Sequence, residues 1–393
     1  ELKVGRISLC LLDTDLDENN WEDRSLTHQL YGGDNEHRLK QEILLGIGGM
    51  RAIRAMGIET DVYHLNEGHA AFIGLERLRG LIEAEGMGFD DALEAVRASA
   101  LFTTHTPVPA GHDYFSEQLL RTYLHDYVVG LGISWERFIA LGRIDPFNTQ
   151  EDFSMSHLAI RLSQEINGVS RLHGEVSQRM FQGLFPGYNA SELHLGYVTN
   201  SVHYPTWIGR EWDELYRSRF GKGFPEDQSN KQYWRHIYEV SGEEIMEIRQ
   251  IQRKRLLDYV KQKLQDDLTR RGEKPVAIFE VLNNIREDAL VIGFARRFAT
   301  YKRAHLLFAN PERLAEIVND PERPVMFIFA GKAHPADRGG QDLIKHIVEV
   351  SKQTKFAGKI VFLEGYNMEM AKLLVRGVDI WLNTPTRPKE ASG

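Results

Sequence analysis

Cysteine is almost missing from this chain. Of 393 residues only Cys10 is one, which excludes a disulfide framework and suits a reducing cytoplasm. No apolar run approaches the ~20 residues of a membrane-spanning helix; VMFIFAG (325–331) has only the length of a strand. Positive charge is in deficit, with 48 Lys and Arg against 56 Asp and Glu and a formal net charge of -8. That balance argues against a nucleic-acid binder, which needs a broad basic face. The first residues hold no basic stretch leading into an apolar core, so no secretory leader is expected there. GxxxxGK[ST] does not occur, which disfavours a phosphate-loop ATPase. Internal repeats and low-complexity tracts are also lacking.

What remains is an ordinary globular composition, 42% hydrophobic and 26% charged, long enough for two or three domains. Apolar strands alternate with amphipathic helices, the pattern of α/β layers around parallel sheets. ISLCLL, TDVYHL, ASALFTTHT and HLGYVTN read as strands of the first half. FSMSHLAIRLSQEINGVSRLHGEVSQRMF (153–181) reads as one or two helices. EDALVIGFARR, PVMFIFAGKA, GKIVFLEGY and VDIWLN read as strands of the second half. The expected organisation is part of an N-terminal Rossmann-like lobe over 1–200, a helical linker region over 201–272 and part of a C-terminal Rossmann-like lobe over 273–393. The chain begins without Met on an apparent strand and stops at RPKEASG, so an internal piece of a longer polypeptide is expected.

Polar residues recur just beyond the apolar strands, where open parallel sheets bind ligands. GFARRFATYKR (293–303) sets Arg296, Arg297, Lys302 and Arg303 within eight residues after LVIGF. Arginine forks, a lysine point charge and free N–H groups at a helix start make an anion site; a solvated basic helix end is the plain alternative. Should Arg303 face solvent, its loss matters less than that of Arg297. In HLNEGHAAF the histidines 64 and 69 lack the i, i+4 spacing of a zinc helix, so no metal is expected. HTPVPAGHDYF (105–115) is stiffened by Pro107 and Pro109, suited either to holding a substrate group or to a plain surface connection. GGDNEHRLKQE (32–42) reads as a gate over a cleft or as an ordinary turn and helix cap.

Taken together, YGGDNEHRLKQE, HLNEGHAAF, TTHTPVPAGHD, TNSVHYPTW, FARRFATYKR, AGKAHP, FLEGY and RPKEASG resemble, in order, motifs of the α-glucan phosphorylases, the family of glycogen, starch and maltodextrin phosphorylases. HTPVPAGHD and LYGGD resemble its shorter bacterial and archaeal branch. The resemblance implies α/β Rossmann-like lobes facing a cleft, of the glycosyltransferase-B type, both incomplete here. It implies pyridoxal phosphate in the full-length parent, with its phosphate rather than its aldehyde assisting, and release of glucose 1-phosphate from an α-1,4-glucan by orthophosphate.

Residue by residue, the resemblance assigns Arg297 and Lys302 to substrate and cofactor phosphates and His105 to the sugar at the cleaved bond. Asn200 binds sugar, and Glu390, Ser392 and Gly393 bind glucose hydroxyls and phosphate. Asp34 and Asn35 match the gate, and Tyr301 and Tyr366 lie beside the cofactor. The Schiff-base lysine is implied beyond Gly393. Ala299 or Thr300 replaces the histidine expected inside the basic motif. A cytoplasmic protein, and a homo-oligomer, fit this reading. The rival readings are a nucleotide-sugar-dependent glucan synthase of the same fold and a non-catalytic glucan-binding fragment.

Overall fold

The computed structural model describes residues 2–29, 33–221 and 223–390. Two compact units result, one built on Glu1–Ser201 and one on Val202–Arg387. Each carries its own four-stranded parallel sheet, so the chain has the α/β architecture that the alternation of strands and helices implies.

In the first unit the sheet order is β3 (Tyr63–Asn66), β4 (Ala100–Thr104), β7 (Glu165–Gly168) and β8 (Gly196–Tyr197). Tyr63 pairs with Ala100, Leu101 with Glu165, and Asn167 with Gly196. Two short antiparallel ladders lie outside this sheet, β1 (Leu2–Val4) with β2 (Ile7–Leu9) and β5 (Tyr114–Phe115) with β6 (Phe153–Ser154). The core forms where Phe72, Leu75 and Leu78 of the helix Phe72–Glu85 meet Phe102 of β4 and the aromatics Phe138 and Phe153. The last two stack with ring centroids 5.2 Å apart.

Two local readings change here. ISLCLL was expected as one of the alternating strands, yet its Ile7–Leu9 joins a hairpin closed by the two-residue turn Gly5–Arg6, with Gly5 at φ 61. A two-residue turn pairs neighbours in sequence before any crossover can form, and both its strands stay exposed. The stretch expected as one or two helices is helix Met155–Arg161, strand β7 and helix Arg171–Phe181. The four residues EING carry only one large apolar side chain, so no alternation announces them. The strand exists because β4 and β8 offer it hydrogen bonds on both edges. Ser170 then caps the following helix by accepting from the His173 N–H at 3.2 Å.

In the second unit the order is β11 (Ile360–Leu363), β10 (Val325–Ala330), β9 (Leu290–Ala295) and β12 (Ile380–Trp381). Side chains alternate along β10. Met326, Ile328 and Ala330 meet Leu256, Leu257 and Val260 of the helix Gly242–Arg270 and Met370 and Leu374 of Met368–Gly377. Phe327 and Phe329 meet Leu314, Val318, Ile347 and Val350 from the helices Pro311–Val318 and Arg338–Ser351. A sheet covered on both faces needs apolar residues at nearly every position, which is why these strands read as continuous hydrophobic runs. Among the described residues no helix is long and apolar enough to cross a membrane.

Gly331, directly after β10, has φ +147, and a Cβ there would lie 1.9 Å from the Arg296 carbonyl oxygen. The close approach lets the two chains stay zipped beyond the sheet, with the Arg296 N–H on Ala330 at 3.2 Å and the Phe298 N–H on Lys332 at 2.8 Å. Gly331→Ala is therefore expected to destabilise the protein by at least ~1–3 kcal/mol, from backbone strain alone. Gly130→Ala, in a helix with open space around it, is expected to be neutral or to stabilise by up to ~1 kcal/mol. Thermal melting of both variants checks the contrast; equal melting points would contradict it.

Candidate active site

Parallel strands end on the same edge of their sheet, and several of the candidate residues lie just beyond those edges. In the second unit the basic turn follows β9, Lys332 and His334 follow β10, Tyr366 follows β11 and Asn383 follows β12. The four cations after β9 do four different things. The Arg296 guanidinium bonds the Asn383 side chain. Arg303 does not face solvent: its Nε donates to the Thr384 carbonyl at 2.8 Å and its second nitrogen to the Pro385 carbonyl at 3.1 Å. Lys302 is buried, its ammonium 5.5 Å from the centre of the Tyr301 ring. Arg297 is exposed, and no hydrogen bond or ion pair involves it among the described residues. Tyr366 is half-buried against the core of this sheet, which pushes its phenol pKa up.

In the first unit β3 and β4 together hold His105. Asn66, the last residue of β3, accepts from the ring Nε2–H, and the Glu67 carboxylate accepts from the His105 backbone N–H. The ring bond fixes the tautomer and leaves Nδ1 without its proton; burial lowers the pKa of this imidazole. Glu67 has φ 66, rare for a residue with a side chain. Its carboxylate is buried with Oε2 lacking a partner, and burial raises its pKa to about 7. Behind the site a chain of hydrogen bonds crosses three strands, from His64 Nε2 to Thr103 Oγ1 (2.8 Å) and from Thr103 to Asn167 Oδ1 (2.9 Å). His112, the other histidine of the proline-bearing loop, is a buried staple. Its Nε2 donates to the Thr106 carbonyl at 2.9 Å and its Nδ1 meets Ser156 Oγ at 2.8 Å.

A charged group that sequence reasoning did not single out lies one layer behind. Arg38 donates from Nε and a terminal nitrogen to Asp113 at 3.3 and 3.1 Å, and His69 Nδ1 bonds Asp113 at 2.9 Å. Glu42 is 1% exposed, with Arg38 Nε at 3.0 Å but no well-aligned hydrogen bond to either oxygen. Ligand atoms of Glu42, His69 and Asp113 lie within 4.8 Å of one another; the Arg38 guanidinium is the positive charge beside them. In the sequence His69 stood out in HLNEGHAAF, and Arg38 and Glu42 form an i, i+4 pair on one helix face, a spacing common on surface helices, but nothing joined them to Asp113.

The remaining expected residues are distributed as follows. Asp34 caps the helix Asn35–Ile43, accepting from the His37 N–H at 3.0 Å, and that bond lowers its pKa. Asn35 is exposed in the first turn of that helix. Asn200 is exposed past β8, its N–H on the Val169 carbonyl at 3.0 Å. Glu390 is half-buried. Ser392 and Gly393 lie outside the described residues.

Burial pushes Glu42 up to about 8, and the hydrogen bond to Asp113, with the Glu42 carboxyl 3.8 Å away, pushes His69 up to about 9. Burial alone would raise Asp113, but hydrogen bonds from His69 and Arg38 hold it well below the carboxylate range. Glu42 and His69 thus bind protons more tightly folded than unfolded, where they titrate near 4.5 and 6.5. Their contribution to stability should fall as pH rises through 4.5 to 9, first through Glu42 and then through His69. Glu42→Gln keeps the neutral shape and is expected to flatten the fall between pH 4.5 and 8 in thermal melts. A steeper fall in that variant would contradict the assignment.

The profile of the carbohydrate phosphorylase family matches residues 51–393. A glycogen phosphorylase of Mycobacterium tuberculosis is 42% identical over 402 residues, covering 100% of this chain and 46% of the relative. A maltodextrin phosphorylase of Thermococcus litoralis is 42% identical over 393 residues, with the same coverage of each. A glycogen phosphorylase of Aquifex aeolicus is 37% identical over 393 residues, covering 100% of this chain and 56% of the relative. The chain thus spans about half the length of the relatives it matches. With a family profile over most of its length and full-length alignment at these identities, the chain belongs to the carbohydrate phosphorylase family.

Proposed function

We propose that the protein containing this chain cleaves the terminal α-1,4-linked glucose of glycogen, starch or maltodextrin with orthophosphate, giving glucose 1-phosphate with retained configuration. The observation that carries this reading is the sorting of cations after β9. Two arginines are tied to the neighbouring loop, while an exposed Arg297 and a buried Lys302 stay at the strand end. Arg297 pairs with the attacking phosphate. An oxocarbenium-like sugar centre needs anions beside it, and phosphates crowded there need cations to tolerate one another.

The buried ammonium of Lys302, beside an aromatic ring in a basic turn, fits the phosphate of pyridoxal phosphate. Bound there, pyridoxal phosphate supplies a phosphate group as acid–base partner to the substrate phosphate. Tyr301 and Tyr366 flank that group, and the Schiff-base lysine lies beyond Gly393. His105, fixed in ring and backbone by Asn66 and Glu67, orients the sugar at the scissile bond. Asn200, Glu390, Ser392 and Gly393 bind sugar hydroxyls and phosphate, and Asp34 and Asn35 sit where access is gated. Residues 1–200 and 273–393 belong to the two lobes, with 201–272 as the helical connection. The protein works in the cytoplasm, as a homo-oligomer, without nucleic-acid or membrane partners.

The full-length protein, incubated with glycogen and orthophosphate, should release glucose 1-phosphate; consumption of a nucleotide sugar with indifference to phosphate would overturn the reading. Arg297→Ala should lower kcat/KM for orthophosphate roughly 10- to 150-fold, the worth of one charged hydrogen bond at ~1.5–3 kcal/mol. Steady-state kinetics measures this, and an unchanged value would return the basic turn to a solvated helix end.

A further inference from the structure

The basic turn has little regular structure of its own. Two short 3-10 turns, Thr300–Lys302 and Ala304–Phe308, meet at Arg303. Such turns hold poorly by themselves. Arg303 stands at the junction with φ 51, a conformation that strains any residue with a side chain. The strain needs compensation from its surroundings, and the side chain shows where that comes from. Its guanidinium reaches two consecutive carbonyls, Thr384 at 2.8 Å and Pro385 at 3.1 Å. A planar fork with several donors does this; a lysine ammonium is a single point.

The loop answers in the opposite direction. Thr384 Oγ1 lies 3.1 Å from the Lys302 carbonyl and 3.4 Å from the Arg303 carbonyl, as donor to them. The Thr386 N–H donates to the Tyr301 carbonyl at 2.8 Å. Thus the carbonyls of 301, 302 and 303 all receive hydrogen bonds from 384–386, and the carbonyls of 384 and 385 receive theirs from Arg303. This stitching joins the loop after β9 to the loop after β12, two strands that are neighbours in the sheet. Lys302 sits inside it.

We propose that Arg303 is a positioning residue: by clamping the turn 300–303 to residues 384–386 it sets where the buried Lys302 ammonium stands, without touching a ligand itself. The assignment rests on the phosphorolytic reading for its effect on catalysis, but not for its effect on phosphate and cofactor binding.

The test uses the full-length protein and three variants, Arg303→Ala, Arg303→Lys and Thr384→Val. The readouts are affinity of the cofactor-depleted protein for pyridoxal phosphate by fluorescence titration, KM for orthophosphate, KM for glucan, and Tm. Arg303→Ala should weaken pyridoxal phosphate and orthophosphate about tenfold or more, the effect of a lost charged hydrogen bond. KM for glucan should not change. Guanidinium ion at millimolar concentration should restore part of the loss in Arg303→Ala and nothing in the wild type. Arg303→Lys should fall between, and Thr384→Val should shift the same two quantities in the same direction by less.

Unchanged cofactor and phosphate binding in Arg303→Ala overturns the proposal, as does equal damage to the phosphate and glucan constants without guanidinium rescue. Should Arg303→Ala not fold, Thr384→Val decides: wild-type cofactor affinity there overturns the clamp. A wild-type protein that makes no glucose 1-phosphate sinks the phosphorolytic reading instead, and the binding titrations still judge the clamp.

Discussion

A strand buried on both faces can carry no polar side chain along its length, and the chemistry of the second unit depends on that constraint. β9 runs between β10 and β12 with helices over both sides, so its charge must wait until the strand has ended. The result is a turn in which four cations follow one another within eight residues. Left alone they would repel. Asn383 and the carbonyls of Thr384 and Pro385 take up two of them, and the neighbouring strand β12 is what brings those acceptors within reach. The division into anchoring arginines, an exposed Arg297 and a buried Lys302 is therefore a property of the sheet order, more than of the turn.

The first unit handles charge by a different route. Its strand ends hold His105 through one side-chain amide and one buried carboxylate, and the carboxylate comes from Glu67 in a left-handed conformation with an orphaned oxygen. Behind it, Arg38, His69, Asp113 and Glu42 share one pocket of low dielectric. Burial disfavours the charged form of both carboxyls, so Glu42 keeps its proton at neutral pH while Asp113, which receives the hydrogen bonds of His69 and Arg38, does not. Unequal hydrogen bonding thus separates two acids lying close together in one pocket.

Legibility in the sequence followed burial. VMFIFAG was readable as a strand because both its faces are covered and every position had to be apolar. The helix Arg338–Ser351 was readable from its amphipathic period; that Asp337 caps it, accepting from the Gly340 N–H at 2.9 Å, is seen only in the structure. EING was not readable, since two neighbours rather than its own side chains make it a strand. ISLCLL was readable as a strand but not as a hairpin, because a short turn competes with a long crossover and local composition does not say which closes first. In the candidate site, Arg296, Arg297, Lys302, Arg303 and His105 could be named from their place after apolar runs. Their separate duties could not, and Arg303 turned inward where a solvent-facing place was entertained.

By itself the sequence determined the class of the fold, the strand ends at which polar groups gather and the family, since these rest on hydrophobic period and on ordered motifs carried along one chain. Tertiary structure alone decided which cation anchors and which is exposed, which histidine is a staple and which is held between Asn66 and Glu67, and which acid keeps its proton. Those outcomes depend on partners far apart in sequence, such as Arg303 with Thr384 or Arg38 with Asp113. Hydrogen bonding and desolvation act over a few ångströms of space, and one-dimensional spacing contains no record of which distant residues will share it.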